Sequence, residues 1–76
     1  MNNIENTLCS TGYIEVVGNN IMYIDNYKRI AEYTCDCIRI VCKNKMIIIK
    51  GNDLKIDYYS INDMKITGEF NEILFV

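Results

Sequence analysis

The stretch IIIKGNDLKID, residues 47–57, decides the fold, and a near copy of it, IEVVGNNIMYI, stands at residues 14–24. Both read apolar-x-apolar-x-Gly-Asn-polar-apolar-x-apolar. A glycine in such a phrase either cradles a ligand or shapes the backbone. A phosphate cradle needs several backbone N–H groups converging at a helix N-terminus, followed by Lys and Ser/Thr. Here each glycine runs directly into a second segment of strand-like alternation, so the glycines serve the fold.

Counting outward gives the pairing. With Asn19-Asn20 and Asn52-Asp53 as two-residue turns, the central residues need positive φ, which Asn and Asp tolerate. Gly18 then faces Ile21, Val16 faces Tyr23 and Ile14 faces Asp25; Gly51 faces Leu54, Ile49 faces Ile56 and Ile47 faces Tyr58. A third turn at Lys43-Asn44 sets Cys42 against Lys45, Ile40 against Ile47 and Ile38 against Ile49. One face collects Ile38, Ile40, Ile47, Ile49, Leu54, Ile56 and Tyr58, joined by Met64 and Ile66 of the segment MKITG. The other face carries Arg39, Lys50, Lys55, Asp57, Lys65 and Thr67, mixed with Val41, Met46 and Ile48. A slip of one residue would exchange the faces, which makes the register specific.

Further connections fall at Asp25-Asn26, Thr34–Asp36, Ser60–Asp63 and Asn71-Glu72, the last leading into a terminal strand ILFV. No segment keeps an apolar period near 3.6 over a helical length. The expectation is an all-β fold, an antiparallel meander of about eight short strands. Such a sheet must curl into a small sandwich or roll to cover its apolar face. A short β-solenoid with Gly-Asn at its corners is the alternative. Residues 1–12 read as a flexible lead-in with a helical turn at Ile4–Leu8, and residues 13–76 as a single domain.

Composition narrows the function. The chain has 76 residues, half of them hydrophobic, which argues against disorder and allows one thin-cored domain. Its net charge is −2, and Lys28-Arg29 is an isolated basic pair, so the footprint of a nucleic-acid reader is missing. The N-terminus lacks a basic region followed by an apolar stretch, and no run approaches the roughly 20 apolar residues that span a bilayer. The expected location is the cytoplasm, where a reducing environment keeps thiols free.

Catalysis is poorly served. There is no histidine to act as a base for Ser, Thr or Cys. Glu32 with Asp36 and Asp53 with Asp57 are the carboxylate pairs, and all sit at turns or solvent-facing strand positions. Cys35, Cys37 and Cys42 form no standard zinc spacing and read as small buryable hydrophobes. Neither an enzyme nor a cofactor is expected. Binding is the better prospect, because an open sheet leaves edges whose main-chain groups are unpaired. The candidate partner contacts are Tyr27, Lys28, Arg29 and Tyr33 in one stretch, and Ile73 and Phe75 in the last strand.

The segments VVGNNIMYIDNYKRIAEYT (16–34), IRI (38–40), IIIKGNDLKI (47–56) and MKITGEFNEILF (64–75), in this order and spacing, resemble the YabP/YqfC family of sporulation proteins. The likeness is to its YqfC-like branch in particular. This chain departs from the family pattern at Tyr27-Lys28-Arg29, where His-Lys-Gly is typical, and at Lys45, where glycine is usual; Asn44 is then the residue expected to turn left-handed. The resemblance implies a non-catalytic scaffold or adaptor made in the mother cell and used in spore envelope or coat formation. It also implies a membrane-embedded sporulation protein as partner, and a position at the forespore outer membrane through that partner. Homo-oligomers through the sheet edges are a further expectation. The competing readings are a small β-barrel for single-stranded nucleic acid, which needs aromatics interleaved with a basic surface, and a metal or redox module built on Cys35, Cys37 and Cys42.

Overall fold

The computed structural model describes residues 13–76, so the expected lead-in at 1–12 and its helical turn lie outside the described residues. The chain forms strands β1 (Tyr13–Val17), β2 (Ile21–Asp25), β3 (Arg29–Tyr33), β4 (Cys37–Val41), β5 (Met46–Tyr59) and β6 (Asp63–Phe75). They make one six-stranded antiparallel sheet in the order β1-β2-β6-β5-β4-β3.

The all-β antiparallel expectation holds, with six strands in place of about eight. The difference lies in two places. Asn52-Asp53 is a bend within β5, and Asn71-Glu72 lies within β6. Ile49 therefore pairs with Ile38 and Ile73, and Ile56 pairs with Ile66; the expected pairs Ile49–Ile56 and Ile47–Tyr58 do not form. Asp53 does take positive φ, 54°, but it uses it to bulge a strand instead of closing a hairpin.

The turn at Lys43-Asn44 is as read: Ile38 faces Ile49, Ile40 faces Ile47, and the Cys42 N–H donates to the Lys45 carbonyl at 2.8 Å. Neither Lys43 nor Asn44 has positive φ, so this is not a type I′ turn and Asn44 is not the left-handed residue. The first hairpin differs by one position. Val17 pairs with Ile21 across the loop Gly18-Asn19-Asn20, and only Gly18 has positive φ, 61°. Ile14 thus meets Ile24 and Val16 meets Met22, which removes the Ile14–Asp25 mismatch of the two-residue reading.

A flat sheet of this order is impossible. Asp25 ends β2 and Arg29 begins β3, yet the two strands stand four places apart in the sheet. Four Cα steps reach at most ~15 Å, whereas four strand spacings need ~19 Å. The sheet is folded over along β5 and β6, giving one half of β1, β2, early β6 and late β5, and another of β3, β4, early β5 and late β6. Between them lies one core, in which Met22, Ile24, Met64 and Ile66 of the first half and Ile38, Ile40, Ile47 and Ile49 of the second are each at most 1% exposed. Leu54 and Phe70, at the bends, complete it. This is the small sandwich or roll expected, made from a single folded sheet. The solenoid alternative is excluded by the antiparallel pairings.

The halves are near copies of one another. Met22 pairs with Ile66 and Ile24 with Met64; sixteen positions on, Ile38 pairs with Ile49 and Ile40 with Ile47. The strand order reads the same from both ends once β1 is exchanged with β3, β2 with β4 and β6 with β5. The internal repeat is therefore hairpin β1–β2 against hairpin β3–β4, and not the Gly-Asn phrases at 14–24 and 47–57 that look alike in sequence. Those two phrases have different structures, a hairpin and a strand bend.

The bends are held by the hairpin tips. The Gly51 and Leu54 N–H groups of the β5 bend donate to the Asp36 and Cys35 carbonyls at 3.2 and 2.8 Å. The Gly68 and Phe70 N–H groups of the β6 bend donate to the Asn20 and Asn19 carbonyls at 3.2 and 2.7 Å. Bending a strand strips amides of their ladder partners, and a buried unpaired amide costs about 1–3 kcal/mol. Each tip supplies the missing acceptors. The two bends also cross closely. A Cβ on Gly51 would lie 1.9 Å from the Glu69 carbonyl oxygen, and one on Gly68, at φ 141°, would lie 2.8 Å from that of Asp53.

Not all outward positions are wet, and not all inward ones are dry. Ile48 is 8% exposed although it faces away from the core, beside Val41, Met46 and Leu74. Register shifts between Ile56 and Tyr58 turn Tyr58 out of the expected core face, so that it pairs with Lys65 and is 51% exposed.

Gly51→Ala is expected to destabilise the chain by more than ~3 kcal/mol, because backbone and not a flexible side chain must yield. Gly18→Ala should cost only about 1–2 kcal/mol, the left-handed penalty, since its nearest neighbour is the Asn20 side chain at 3.4 Å. Urea unfolding of the two variants checks the order; near-equal losses would contradict the crossing.

Candidate functional site

The folded sheet places the candidate contacts in two regions. Tyr27, Lys28 and Arg29 occupy the β2–β3 link and the start of β3, and Tyr33 ends β3. Ile73 and Phe75 lie on late β6, which has β5 on one side and no strand on the other among the described residues.

Tyr27 is half-buried and packs against the core, and its hydroxyl donates to the Ser60 carbonyl at 2.5 Å. With the Asn26 N–H donating to the Asn62 carbonyl at 2.6 Å, this ties the β2–β3 link to the β5–β6 loop. Burial, followed by the charges of Tyr59 and Asp63, pushes the Tyr27 phenol up. Lys28 and Arg29 are exposed, with the Lys28 N–H bound to the Val41 carbonyl at 2.8 Å. Tyr33 is 49% exposed, and its hydroxyl accepts the Ile56 N–H at 3.0 Å, closing the outer edge of late β5 against the end of β3. Ile73 packs against the core, whereas Phe75 is 56% exposed with the Lys45 ammonium 6.0 Å from its ring centroid. The stretch Tyr27–Tyr33 thus combines fold-closing hydroxyls with exposed ring and cation surface.

Sequence reasoning missed a third element of surface. Tyr59 and Ile61, at the β5–β6 loop tied to Tyr27, are 65% and 87% exposed. Two large apolar side chains of one loop thus stand in open solvent. The signal for it is the apolar Ile61 in the middle of the polar turn Ser60–Asp63. The turn itself is rigid: Ser60 Oγ bonds Asp63 Oδ1 at 2.5 Å, and the Asn62 and Asp63 N–H groups reach back to Ser60 Oγ at 3.2 Å.

The cysteines and carboxylates hold structural posts. Cys42 is 4% exposed within the core, and its burial pushes the thiol up despite nearby Lys45, which makes it an unreactive apolar filler. Cys37 begins β4 and Cys42 follows its last residue, about 17 Å apart along an extended chain. Cys35 contributes its carbonyl to the β5 bend. Among the described residues, no three His, Cys, Asp or Glu side chains converge as metal ligands. Glu32 Oε1 lies 2.7 Å from Arg39 Nε, a half-exposed ion pair whose N–H is not aimed at the oxygen, so it adds little stability. Asp36 accepts from the Thr34 hydroxyl at 2.8 Å, and Asp57 pairs with Lys65 at 3.7 Å.

Two expectations follow. Tyr33→Phe should cost about 0.5–1.5 kcal/mol and speed hydrogen exchange at the Ile56 amide, read by two-dimensional NMR; an unchanged Ile56 rate would remove the hydroxyl from the seam. Stability should also fall in alkali. Both shifted groups ionise later in the folded chain than in the unfolded one, so their contribution is complete below about pH 9, the ordinary Cys42 value, and is lost as pH rises through their raised values. Cys42→Ala should shrink the first part of that loss, measured by urea midpoints between neutral and alkaline pH.

No helix among the described residues is long and apolar enough to cross a membrane. No curated protein and no solved structure matches the chain. The YabP family model matches residues 10–76, which covers all six strands. Membership of this family suggests a sporulation-related protein, in line with the segments that carry the resemblance. The chain belongs to the YabP family.

Proposed function

We propose that this chain is a non-catalytic sporulation protein of the YqfC-like branch. It acts in the mother cell as a scaffold or adaptor during spore envelope or coat formation. It docks on a membrane-embedded sporulation protein, which holds it at the forespore outer membrane. The family match over residues 10–76 is the observation that carries this reading. The surface supports it: the Tyr27 link and the β5–β6 loop with Tyr59 and Ile61 form one end of the molecule, rich in aromatic and apolar groups of the kind that anchor interfaces. Lys28 and Arg29 directly follow Tyr27 in the chain and are exposed, which sets charge next to the aromatic link. No cofactor enters this function.

Deleting the gene should block spore formation and leave vegetative growth normal. The tagged chain should co-purify with a membrane protein from sporulating cells in detergent. Tyr59→Asp and Ile61→Asp lie outside the core, so they should keep the fold and cut that recovery about tenfold or more. Recovery of the free chain alone from sporulating cells would contradict the adaptor.

A further inference from the structure

The pseudo-symmetry of the sheet is broken at its two free long-strand edges. Late β5 and late β6 are equivalent edges: Lys55 pairs with Thr67 where Glu72 pairs with Lys50, and Ile56 pairs with Ile66 where Ile73 pairs with Ile49. The Ile56 N–H is received by the Tyr33 hydroxyl. Tyr33 pairs with Ile38 as Val16 pairs with Met22, so Val16 holds the equivalent ladder position in β1 and has no hydroxyl to offer. Among the described residues, one edge is closed and its twin is open.

The ladder fixes which groups the open edge presents. Met46 and Val76 exchange both hydrogen bonds, at 2.7 and 2.9 Å. Bonded and non-bonded pairs alternate along an antiparallel ladder. Ile48–Leu74 is then a bonded pair, while Ile47–Phe75 and Ile49–Ile73 are not. The N–H and C=O groups of Ile73 and Phe75 therefore point away from β5. The other edges carry devices that discourage pairing. β3 has a bulge between Ile30 and Glu32, late β5 carries Lys55, Asp57 and the Tyr33 cap, and β1 has Glu15 at its centre. Late β6 offers Ile73, Leu74, Phe75 and Val76 with Glu72 as the one charge.

We propose that late β6 pairs antiparallel with late β6 of a second copy of this chain, about a two-fold axis at Leu74. That register sets Ile73 opposite the partner's Phe75, so that both outward residues of each copy exchange their N–H and C=O bonds and none is left over. It places a β-branched side chain against an aromatic one on the core side, a favourable cross-strand pair. It covers the exposed Phe75 ring. On the outer face Leu74 meets its own copy at the axis, joining the two outer apolar patches of Val41, Met46 and Ile48. Glu72 falls at the two far ends, each beside its own Lys50 and opposite the second copy's residue 76, so no charged side chains of like sign face one another. Self-complementarity of this kind is what a two-fold interface requires.

The test uses the purified full chain and is independent of the adaptor reading, because it needs neither sporulating cells nor a membrane partner. Sedimentation should give a concentration-dependent mass rising to twice 8.9 kDa. Phe75→Pro removes an outward N–H and no bond to β5, and Leu74→Lys sets like charges across the axis. Both should remain folded by circular dichroism and weaken the dimer at least tenfold. At the amide level, exchange at Ile73 and Phe75 should slow about tenfold or more as concentration rises into the dimer range, while any slowing at Leu74, already bound to β5, should be smaller. A chain that stays monomeric at high micromolar concentration, a dimer that both folded variants leave intact, or protection of Ile73 and Phe75 that ignores concentration would each overturn the proposal.

Discussion

The structure depends on hairpin tips supplying carbonyls to the bends of two long strands. A chain of this size cannot build two independent sheets, so it folds one sheet over itself. The fold is made where β5 and β6 cross, at Gly51 and Gly68, and four amides would be orphaned there without the Cys35, Asp36, Asn19 and Asn20 carbonyls. Those bonds also hold each hairpin against the opposite half, which brings Met22 and Ile24 over Ile38 and Ile40 to seal the core. Packing and hydrogen bonding are therefore one cooperative unit, and neither half would be stable alone.

The same arrangement sorts the surface. Folding the sheet leaves its strand edges and loop ends outside, and a near-symmetric fold acquires distinct faces only where its halves differ. Tyr33 closes one seam, and among the described residues nothing closes its twin. The loop Ser60–Asp63 raises Ile61 into solvent beside Tyr59, whereas the turn at Lys43-Asn44, which links β4 to β5, is polar. The differences between the halves give the surface one loop end with exposed apolar side chains and, among the described residues, an unpaired strand edge on late β6.

How far the sequence alone reaches depends on the range of the interaction. The Lys43-Asn44 hairpin was readable because its flanking runs alternate cleanly and pair with each other. Gly51-Asn52-Asp53 was misread because a hairpin turn and a strand bend make the same local demands, glycine and positive φ. What separates them is the Glu69 backbone crossing at Gly51, a contact from eighteen residues away that leaves no local trace. The true repeat was present at a spacing of sixteen, in Ile14 and Ile30, Met22 and Ile38, Ile24 and Ile40, but the more conspicuous Gly-Asn phrases masked it. Among the candidate contacts, Tyr33 and Phe75 are exposed, which their place on strand-like alternation did not reveal. The hydroxyl roles of Tyr27 and Tyr33 were not legible either, because each reaches a backbone group more than twenty residues along the chain.

The most direct measurement of the central claim is native-state amide exchange at Gly51, Leu54, Gly68 and Phe70 by NMR. The account predicts that all four are protected and open together, at the same free energy as the core amides of Ile40 and Ile47. Rapid exchange at any bend with the core still closed, or cross-strand contacts joining Ile49 to Ile56, would show that the strands do not bend against the hairpin tips.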